Sequence, residues 1–216
     1  MLFPDAPTER VLKGARVLHN ALAPDRQAAL VEAVCEVVRV APFLIPETPG
    51  GRKMTVRMTS AGSLGWLSDS RGYRYETRHP SGAPWPPIPE IAQEVWRNWS
   101  GVDRPPDCCL VNFYGEGARM GLHQDRDEGD LRWPVVSISL GDDALFRIGG
   151  TARRDPTESV WLRSGDVVVL DGPARLAFHG IDRLRFRSSN LLRDGGRINL
   201  TLRVVDLPDH FDPKCA

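Results

Sequence analysis

The segment Arg197-Ile-Asn-Leu-Thr-Leu-Arg203 alternates strictly between polar and apolar residues. Because successive side chains of a β-strand point to opposite faces, the polar residues 197, 199, 201 and 203 share one face and the aliphatic residues share the other. If the aliphatic face packs outward, both arginines point into the interior of a barrel. The alternative is a surface strand whose charged face lies in solvent.

The rest of the C-terminal half has a similar β-rich character, with short runs separated by glycine-containing turns. The predicted strands are Cys108–Tyr114, Val135–Leu140, Leu145–Ile148, Ser159–Leu162, Val167–Leu170, Leu176–Phe178 and Arg197–Val205. Many short strands with closely spaced turns predict a sandwich or barrel. The predicted fold class is therefore α+β, a double-stranded β-helix (jelly-roll) barrel with covering N-terminal helices and a loop-rich lid.

Two helices are predicted ahead of these strands. Apolar residues recur at helical spacing over residues 24–39, and a second helix over 89–100 is bounded by Pro89 and Gly101. Residues 11–19 fit an edge strand and residues 54–58 a short strand, both rich in β-branched or long apolar side chains. The Pro-rich residues 1–10 are expected to form a loose arm.

The region from Thr59 to Pro89 combines glycines and prolines with aromatic residues, among them Trp66, Tyr73 and Tyr75. A long connection that lacks regular structure but carries aromatics is usually a lid or a binding loop. The chain is therefore predicted to be a single domain with four parts: an N-terminal arm and helix (1–45), a lid (46–90), a helix and jelly-roll core (91–205) and a tail (206–216).

Composition limits the classes of partner. Twenty-eight basic residues balance 28 acidic ones, so the chain does not hold nucleic acid by bulk charge. Local basic patches are compatible with this balance: residues 52–78 contain six basic and two acidic residues, and residues 183–197 contain five arginines and one aspartate. The four cysteines contain no C-x-x-C pattern, and neither a signal peptide nor a membrane-spanning stretch is recognisable, which predicts a cytoplasmic protein.

His123-Gln-Asp125 carries a histidine and a carboxylate that share one face of an extended segment. The pattern alone is weak, because five histidines and 28 acidic residues give about 0.6 such pairs by chance. A second pair, His210-Phe-Asp212, is present, but His123 also has His179 at the end of a later strand run. A facial metal site needs two histidines and one carboxylate, which favours this set over a core histidine beside a surface carboxylate.

The two arginines of the alternating strand point to a ligand of opposite charge. Buried arginine is costly unless an anion pairs with it, and the neighbouring sequence offers no evident anion. A bound carboxylate, held bidentately, is the expected partner. Finding the metal pattern and then this strand along one chain is a more specific signal for a metal and carboxylate site than either motif alone.

These motifs resemble the AlkB family of Fe(II)/2-oxoglutarate-dependent dioxygenases. The resemblance depends on four motifs in order, namely Asn112-Phe-Tyr114, His123-Gln-Asp125, His179 and Arg197-x-Asn199-x-Thr201-x-Arg203. Further shared stretches include Leu64-Gly-Trp66, Gly72-Tyr-Arg-Tyr75 and Arg153-Arg-Asp-Pro156. The similarity covers residues 45–205, most of the chain.

The resemblance implies a role for each of thirteen residues. Fe(II) would be bound by His123, Asp125 and His179, with 2-oxoglutarate and O₂ as cosubstrates. The carboxylates of 2-oxoglutarate would be held by Asn112, Tyr114, Arg197, Asn199 and Arg203, and which arginine takes which end stays open. Substrate contacts would come from Trp66, Tyr73, Tyr75, Asp127 and Arg153, which makes residues 46–90 a nucleotide-recognition lid.

The implied activity is oxidative demethylation of N-alkylated bases of the 1-methyladenine and 3-methylcytosine type. This direct reversal of alkylation damage releases formaldehyde and converts 2-oxoglutarate to succinate. DNA is the expected partner, preferably single-stranded because base extraction is then cheap, with double-stranded DNA and RNA as further substrates, and the enzyme is expected to be a monomer without membrane contact. Two alternatives are the same oxygenase scaffold acting on a protein or small molecule, and a non-catalytic nucleic-acid-binding module.

Overall fold

The computed structural model describes residues 7–206. In chain order the elements are β1 (Thr8–Leu12), β2 (Ala15–His19), α1 (Pro24–Val40), β3 (Val56–Gly62), β4 (Gly65–Asp69), β5 (Gly72–Glu76), α2 (Glu90–Trp99), β6 (Cys108–Tyr114), β7 (Met120–His123), β8 (Val135–Gly141), β9 (Ala144–Ile148), β10 (Glu158–Leu162), β11 (Val167–Leu170), β12 (His179–Leu184) and β13 (Arg197–Arg203). Residues 1–6 of the predicted arm, residues 207–216 of the predicted tail and the pair His210/Asp212 lie outside the described residues.

Seven antiparallel strands form the large sheet, in the order β1-β2-β11-β8-β13-β6-β3. The alternating strand β13 lies between β8 and β6, where Asn199 pairs with Ser139 on one side and with Asn112 on the other. Because directly paired residues point to the same face of a sheet, this register gathers polar side chains from three strands on one face. The large sheet therefore presents a polar strip toward the interior.

A four-stranded sheet, ordered β10-β9-β12-β7, packs face to face with the large sheet. Their shared core contains Val135 and Val168 from the large sheet with Phe146, Ile148 and Ile181 from the small one. Two facing antiparallel sheets of this kind form a jelly roll, which confirms the predicted fold class. The helices predicted over 24–39 and 89–100 are present as α1 and α2.

Both helices cover the outer face of the large sheet. The aliphatic residues of β13 pack there in one hydrophobic cluster with the buried faces of α1 and α2, which consist of Leu30, Val34, Val37, Ala92, Val95 and Trp96. The amphipathic helices remove the aliphatic face of β13 from water, so its polar face is left to line the interior. The arrangement predicted from the strict alternation of residues 197–203 is confirmed.

Three local predictions differ from the structure. The single strand predicted over 11–19 is a hairpin of β1 and β2, because Lys13 and Gly14 both adopt positive φ and reverse the chain, and β1 includes residues 8–10 of the predicted arm. The strand predicted at 176–178 is a loop, since a short 3₁₀ turn at Gly172–Ala174 delays β12 until His179. The short strand predicted at 54–58 begins at Val56 and continues to Gly62.

The lid is more regular than its glycines and prolines suggest. Strands β4 and β5 form a two-stranded hairpin within the region predicted to be irregular. Asp69 caps the turn by accepting hydrogen bonds from the backbone and side chain of Arg71, while Gly72 supplies a positive φ. This turn chemistry, together with the strand propensity of Trp66, Tyr73 and Tyr75, explains the hairpin.

No helix in the described part of the chain is long and apolar enough to cross a membrane.

Candidate active site

A cavity of about 520 Å³ lies between the two sheets and is bordered by the lid hairpin. Twelve of the thirteen predicted site residues line it. The exception is Tyr75, which is buried beneath the hairpin. The structure therefore brings together one set of side chains from segments that are up to 137 residues apart in the sequence, from Trp66 to Arg203.

His123, Asp125 and His179 form a compact cluster at the cavity wall. His123 ends β7, His179 begins β12, and the two residues are directly paired across the small sheet. One ligand atom from each of the three residues lies within 4.8 Å of the others, with His123 Nε2 3.6 Å and His179 Nε2 3.9 Å from the carboxylate oxygens of Asp125. Two histidines and one carboxylate in this arrangement match the donor set of a facial non-haem iron site.

Backbone carbonyls orient both histidines. The Nδ1 of His123 lies 3.0 Å from the carbonyl oxygen of Gly121, and the Nδ1 of His179 lies 2.9 Å from that of Ala177. Because a carbonyl only accepts, each Nδ1 carries the hydrogen and each Nε2 presents a lone pair toward Asp125. Such bonds fix ring orientation in metal sites, so these residues fit a bound Fe(II).

The protonation states of the side chains in this cluster also favour binding of a metal cation. Burial, together with the neighbouring His123, lowers the pKa of His179 to about 4, so this imidazole is neutral at physiological pH. Burial by itself raises the pKa of Asp125, but Arg203, the two histidines and Arg175 together outweigh burial and hold that pKa well below its usual range. A neutral imidazole and an ionised carboxylate are the forms that bind metal.

Arg203 already has anionic partners within the protein. Its Nη2 lies 2.9 Å from the Asp125 carboxylate, and its Nε lies 3.4 Å from that of Glu128. The expectation that only a bound ligand could neutralise this arginine is therefore wrong, because the loop after β7 brings two carboxylates to it. Arg203 links Asp125, a candidate metal ligand, to the polar strip of β13.

Arg197, by contrast, is buried without a counter-charge. It is 1% exposed, its Nη2 donates to Ser139 Oγ at 3.0 Å, and its guanidinium lies 5.2 Å from the centre of the Tyr114 ring. Within the described chain, its Nε and Nη1 and the Oδ1 of Asn112 are among the four buried side-chain atoms that lack a hydrogen-bond partner. Burial lowers the pKa of Arg197. A buried guanidinium with two unused donors facing a cavity is suited to a carboxylate ligand.

The mouth of the cavity carries the lid aromatics. Trp66 and Tyr73 stack with ring centroids 5.5 Å apart, and Tyr73 is 48% exposed. The indole Nε1 of Trp66 donates to Asp127 Oδ2 at 3.0 Å, which ties the lid to the loop that follows β7. Arg153, from the loop between β9 and β10, lies with its guanidinium 5.0 Å from the Phe178 ring. These residues form an aromatic and charged rim.

Two residues that the sequence did not single out complete the site. Glu128 accepts from the Tyr75 hydroxyl at 2.6 Å and from Arg175 Nη2 at 3.0 Å, and Arg175 also donates to the backbone carbonyl of Asp125. This buried network joins the lid, the metal-ligand loop and the segment before His179. Residues 125–130 are rich in acidic side chains, which is the one signal that could have drawn attention to Glu128, and no sequence pattern marks Arg175.

Comparison with known proteins identifies relatives of the whole chain. A family model described as the 2OG-Fe(II) oxygenase superfamily matches residues 14–203. An alpha-ketoglutarate-dependent dioxygenase AlkB homolog from Caulobacter vibrioides is 57% identical, covering 89% of this chain and 88% of the relative. The DNA N(6)-methyladenine demethylase ALKBH1D from Arabidopsis thaliana is 33% identical, covering 88% of this chain and 49% of the relative. The solved structure of OsALKBH1 is similar, with a TM-score of 0.75, 32% identity and coverage of 91% of this chain and 99% of that one.

Proposed function

Because the chain belongs to the 2OG-Fe(II) oxygenase superfamily, we propose that it demethylates N-alkylated bases of the 1-methyladenine and 3-methylcytosine type in nucleic acid. It is an Fe(II)- and 2-oxoglutarate-dependent dioxygenase. The observation that carries the proposal is the position of the His–Asp–His cluster at the wall of a cavity whose rim bears Trp66, Tyr73 and Asp127. That rim combines stacking surfaces with a carboxylate, which suits an alkylated base.

Fe(II) would be held by His123 Nε2, Asp125 and His179 Nε2. With 2-oxoglutarate and O₂ it would supply the oxidation in which 2-oxoglutarate is converted to succinate and CO₂, taking up one oxygen atom, while the other oxygen atom converts an N-methyl group to a hydroxymethyl group that leaves as formaldehyde. The protein holds these groups and excludes water from them. The carbonyls of Gly121 and Ala177 hold the two imidazoles in the ligand tautomer, and Arg203 keeps Asp125 ionised.

The two arginines divide the binding of 2-oxoglutarate. Arg203 lies beside the metal ligand Asp125, so it is placed to contact the keto-acid end that reaches the metal. Arg197 lies six residues earlier on the same face of β13, and its unused donors suit the distal carboxylate. Asn112, Tyr114 and Asn199 line the cavity between and beside them.

At the rim, the alkylated base stacks on Trp66, with the ring of His123 on the opposite side. Trp66 is positioned for this by Tyr73, which stacks on it, and by Asp127, which accepts its indole hydrogen. An extracted base presents both faces to such side chains, and extraction costs least from a single strand. We therefore infer a preference for single-stranded DNA, with RNA as a further substrate and double-stranded DNA as a poorer one.

We further infer that the enzyme acts as a monomer in the cytoplasm. Cys35, Cys108 and Cys109 are free thiols, which suits a reducing compartment. Nucleic acid and 2-oxoglutarate are both available there. Size-exclusion chromatography coupled to light scattering measures the oligomeric state, and a stable dimer would contradict this inference.

The function is tested by measuring formaldehyde and succinate with oligonucleotides that carry 1-methyladenine or 3-methylcytosine. We expect equal molar release of both products, dependent on Fe(II) and 2-oxoglutarate, and none from the Asp125→Ala variant. Succinate formation without demethylation, in the presence of Fe(II), would instead indicate a protein or small-molecule substrate. Binding of the oligonucleotide without any succinate would indicate a non-catalytic module.

A further inference from the structure

The outer face of the small sheet carries a basic surface that the cavity does not use. Burial alternates along β9 and β10, so that Leu145, Arg147 and Trp161 point away from the core. Arg183 and Arg185 extend this surface from β12 and from the residue that follows it, and both are exposed. We call Arg147, Trp161, Arg183 and Arg185 the outer arginine face.

The indole of Trp161 lies close to the guanidinium groups of two of these arginines. The guanidinium carbon of Arg185 lies 3.9 Å from the ring centre and that of Arg183 lies 5.8 Å from it, both within the range of a cation–π interaction. Two like charges gathered at one aromatic ring repel each other, and a bound anion relieves that repulsion. Trp161 thus pre-arranges a pair of guanidinium groups for an anionic partner.

Protein carboxylates neutralise this face only in part. Asp182 lies 3.4 Å from Arg147, and Asp143 lies 3.5 Å from Arg185. Within residues 7–206, no carboxylate lies at ion-pair distance from Arg183. The outer arginine face therefore keeps a positive charge in a chain whose formal net charge is zero.

The position of the face relates it to the cavity. Ile148 pairs with the metal ligand His179. Leu145 lies three residues earlier on β9 and pairs with both Trp161 and Arg183. Three residues of a strand span about 10 Å. Arg153 lines the cavity mouth from the loop that joins β9 to β10, so this arginine and Arg147 on the outer face belong to the same β-hairpin.

We propose that the outer arginine face binds the phosphate backbone of the nucleic-acid strand that carries the lesion, a few nucleotides away from the base in the cavity. This proposal depends on the proposed function for the identity of the strand. A positive surface with an aromatic side chain is the usual means of binding a single strand without sequence preference. Such a site would raise affinity for long strands and leave the reaction at the cavity unchanged.

The primary test measures binding rather than turnover. Fluorescence anisotropy follows an unmodified single strand of about 15 nucleotides over a range of salt concentrations. For the double variant Arg183→Gln/Arg185→Gln we expect affinity to fall about tenfold at low salt, and the slope of log K against log salt to become shallower by about 1.4, for two lost phosphate contacts. The matched control is Arg39→Gln/Arg97→Gln, which removes two exposed charges from α1 and α2 on the opposite side of the molecule.

A second measurement separates this role from damage to the fold. Turnover of a methylated trinucleotide, too short to reach the outer arginine face, should change less than twofold in the double variant, while KM for a methylated strand of about 15 nucleotides rises several-fold. An unchanged salt slope, an equal loss in the control pair, or equally effective competition by polyglutamate would overturn the proposal. If the wild-type protein binds long strands through the outer arginine face but demethylates no methylated strand, the proposed function is wrong and the proposed binding surface is still supported.

Discussion

The two arginines of β13 show how a single residue can serve either stability or binding. Arg203 has the carboxylates of Asp125 and Glu128 beside it, whereas Arg197 is equally buried with no protein anion. Removing one member of a buried ion pair strands the other charge, but removing a buried charge that has no partner eliminates a desolvation cost. The same substitution should therefore have opposite effects at the two positions.

We predict that Arg197→Met leaves the ligand-free protein as stable as wild type or about 1–3 kcal/mol more stable, because the desolvation cost disappears. Arg203→Met should destabilise it by about 3–5 kcal/mol, since the buried Asp125 carboxylate loses its ion-pair partner, whereas Glu128 keeps Arg175. Urea unfolding measures both. For Arg197→Met, KM for 2-oxoglutarate should also rise at least tenfold, as expected when a charge-assisted contact is lost. An unchanged KM would show that Arg197 does not contact the cosubstrate.

The metal ligands form a second group of residues with a sharp expectation. Alanine at His123, Asp125 or His179 should abolish turnover, because two remaining ligands hold Fe(II) too weakly. Equilibrium dialysis with Co(II) tests the loss of metal directly and does not depend on activity. His210→Ala is the matched control, since it removes a histidine from the other His-x-Asp pattern, and it should behave as wild type. Stoichiometric metal binding by any of the three ligand variants contradicts the assignment.

Asp127 is predicted to read the charge of the lesion. Its carboxylate lies at the cavity rim, fixed by the indole of Trp66, and it pairs with neither Arg126 nor Arg132 within the described chain. Bases methylated at N1 of adenine or N3 of cytosine carry positive charge, whereas 1-methylguanine and 3-methylthymine are neutral. At 4 Å and an effective dielectric of about 20, opposite charges attract by about 4 kcal/mol before desolvation.

Asp127→Asn should therefore reduce kcat/KM about tenfold more on the cationic lesions than on the neutral ones. A tenfold difference corresponds to about 1.4 kcal/mol, which is only part of the attraction between opposite charges. Asparagine keeps a hydrogen-bond acceptor for Trp66, so the rim should retain its shape. Steady-state kinetics on all four lesions in the same oligonucleotide measures the difference. Equal losses on both classes would mean that Asp127 positions Trp66 and does not read charge.

Among the secondary-structure elements, β13 separates stability from function by its two faces. Ile198, Leu200 and Leu202 pack against α1 and α2, while the alternate residues line the cavity. Leu200 is completely buried. A cavity made by truncating such a residue costs stability without removing a ligand contact.

Leu200→Ala should accordingly lower the free energy of unfolding by about 2–5 kcal/mol. KM for 2-oxoglutarate should stay within twofold at temperatures where the variant is folded. Thr201→Val, on the opposite face of the same strand, is the matched comparison, because it keeps volume and removes the hydroxyl that donates to Asn199. An increase in KM for Leu200→Ala as large as that for Arg197→Met would show that the two faces are not independent.

At the scale of the whole molecule, the cavity couples ligand binding to folding. The two sheets meet at an interior that contains uncompensated donors, so a ligand that fills it stabilises only the folded state. Binding at 100 times the dissociation constant stabilises a protein by about 2.7 kcal/mol.

We therefore predict that Mn(II) with 2-oxoglutarate, in the absence of O₂, raises Tm by several degrees at such concentrations. In Arg197→Met, the additional increase in Tm caused by 2-oxoglutarate should be mostly lost. In Asp125→Ala, the increase in Tm caused by Mn(II) should be mostly lost. Differential scanning fluorimetry measures these shifts. Equal shifts in wild type and in Arg197→Met would place the cosubstrate elsewhere.

Periodicity determined much of this protein in advance. The alternation of residues 197–203, the helical spacing of residues 24–39 and the glycine-punctuated runs after Gly101 predicted a helix-covered jelly roll, and the protein has this fold. These features are local, since burial on one side of a strand or helix leaves a repeat in the sequence. The site residues came instead from the resemblance to a known family, which implied thirteen residues, of which twelve line the cavity.

Only the tertiary structure decided which charges meet. Glu128, Arg175 and Tyr75 come from three separate segments, so no spacing in the sequence records that their side chains share one buried network. The same holds for Arg203, whose partner Asp125 is 78 residues away. It also holds for Trp161 on β10, whose ring lies near arginines on and just after β12, two strands away in the same sheet. Ion pairing and stacking depend on distance in space, and strand order in the sheets sets that distance independently of any local repeat.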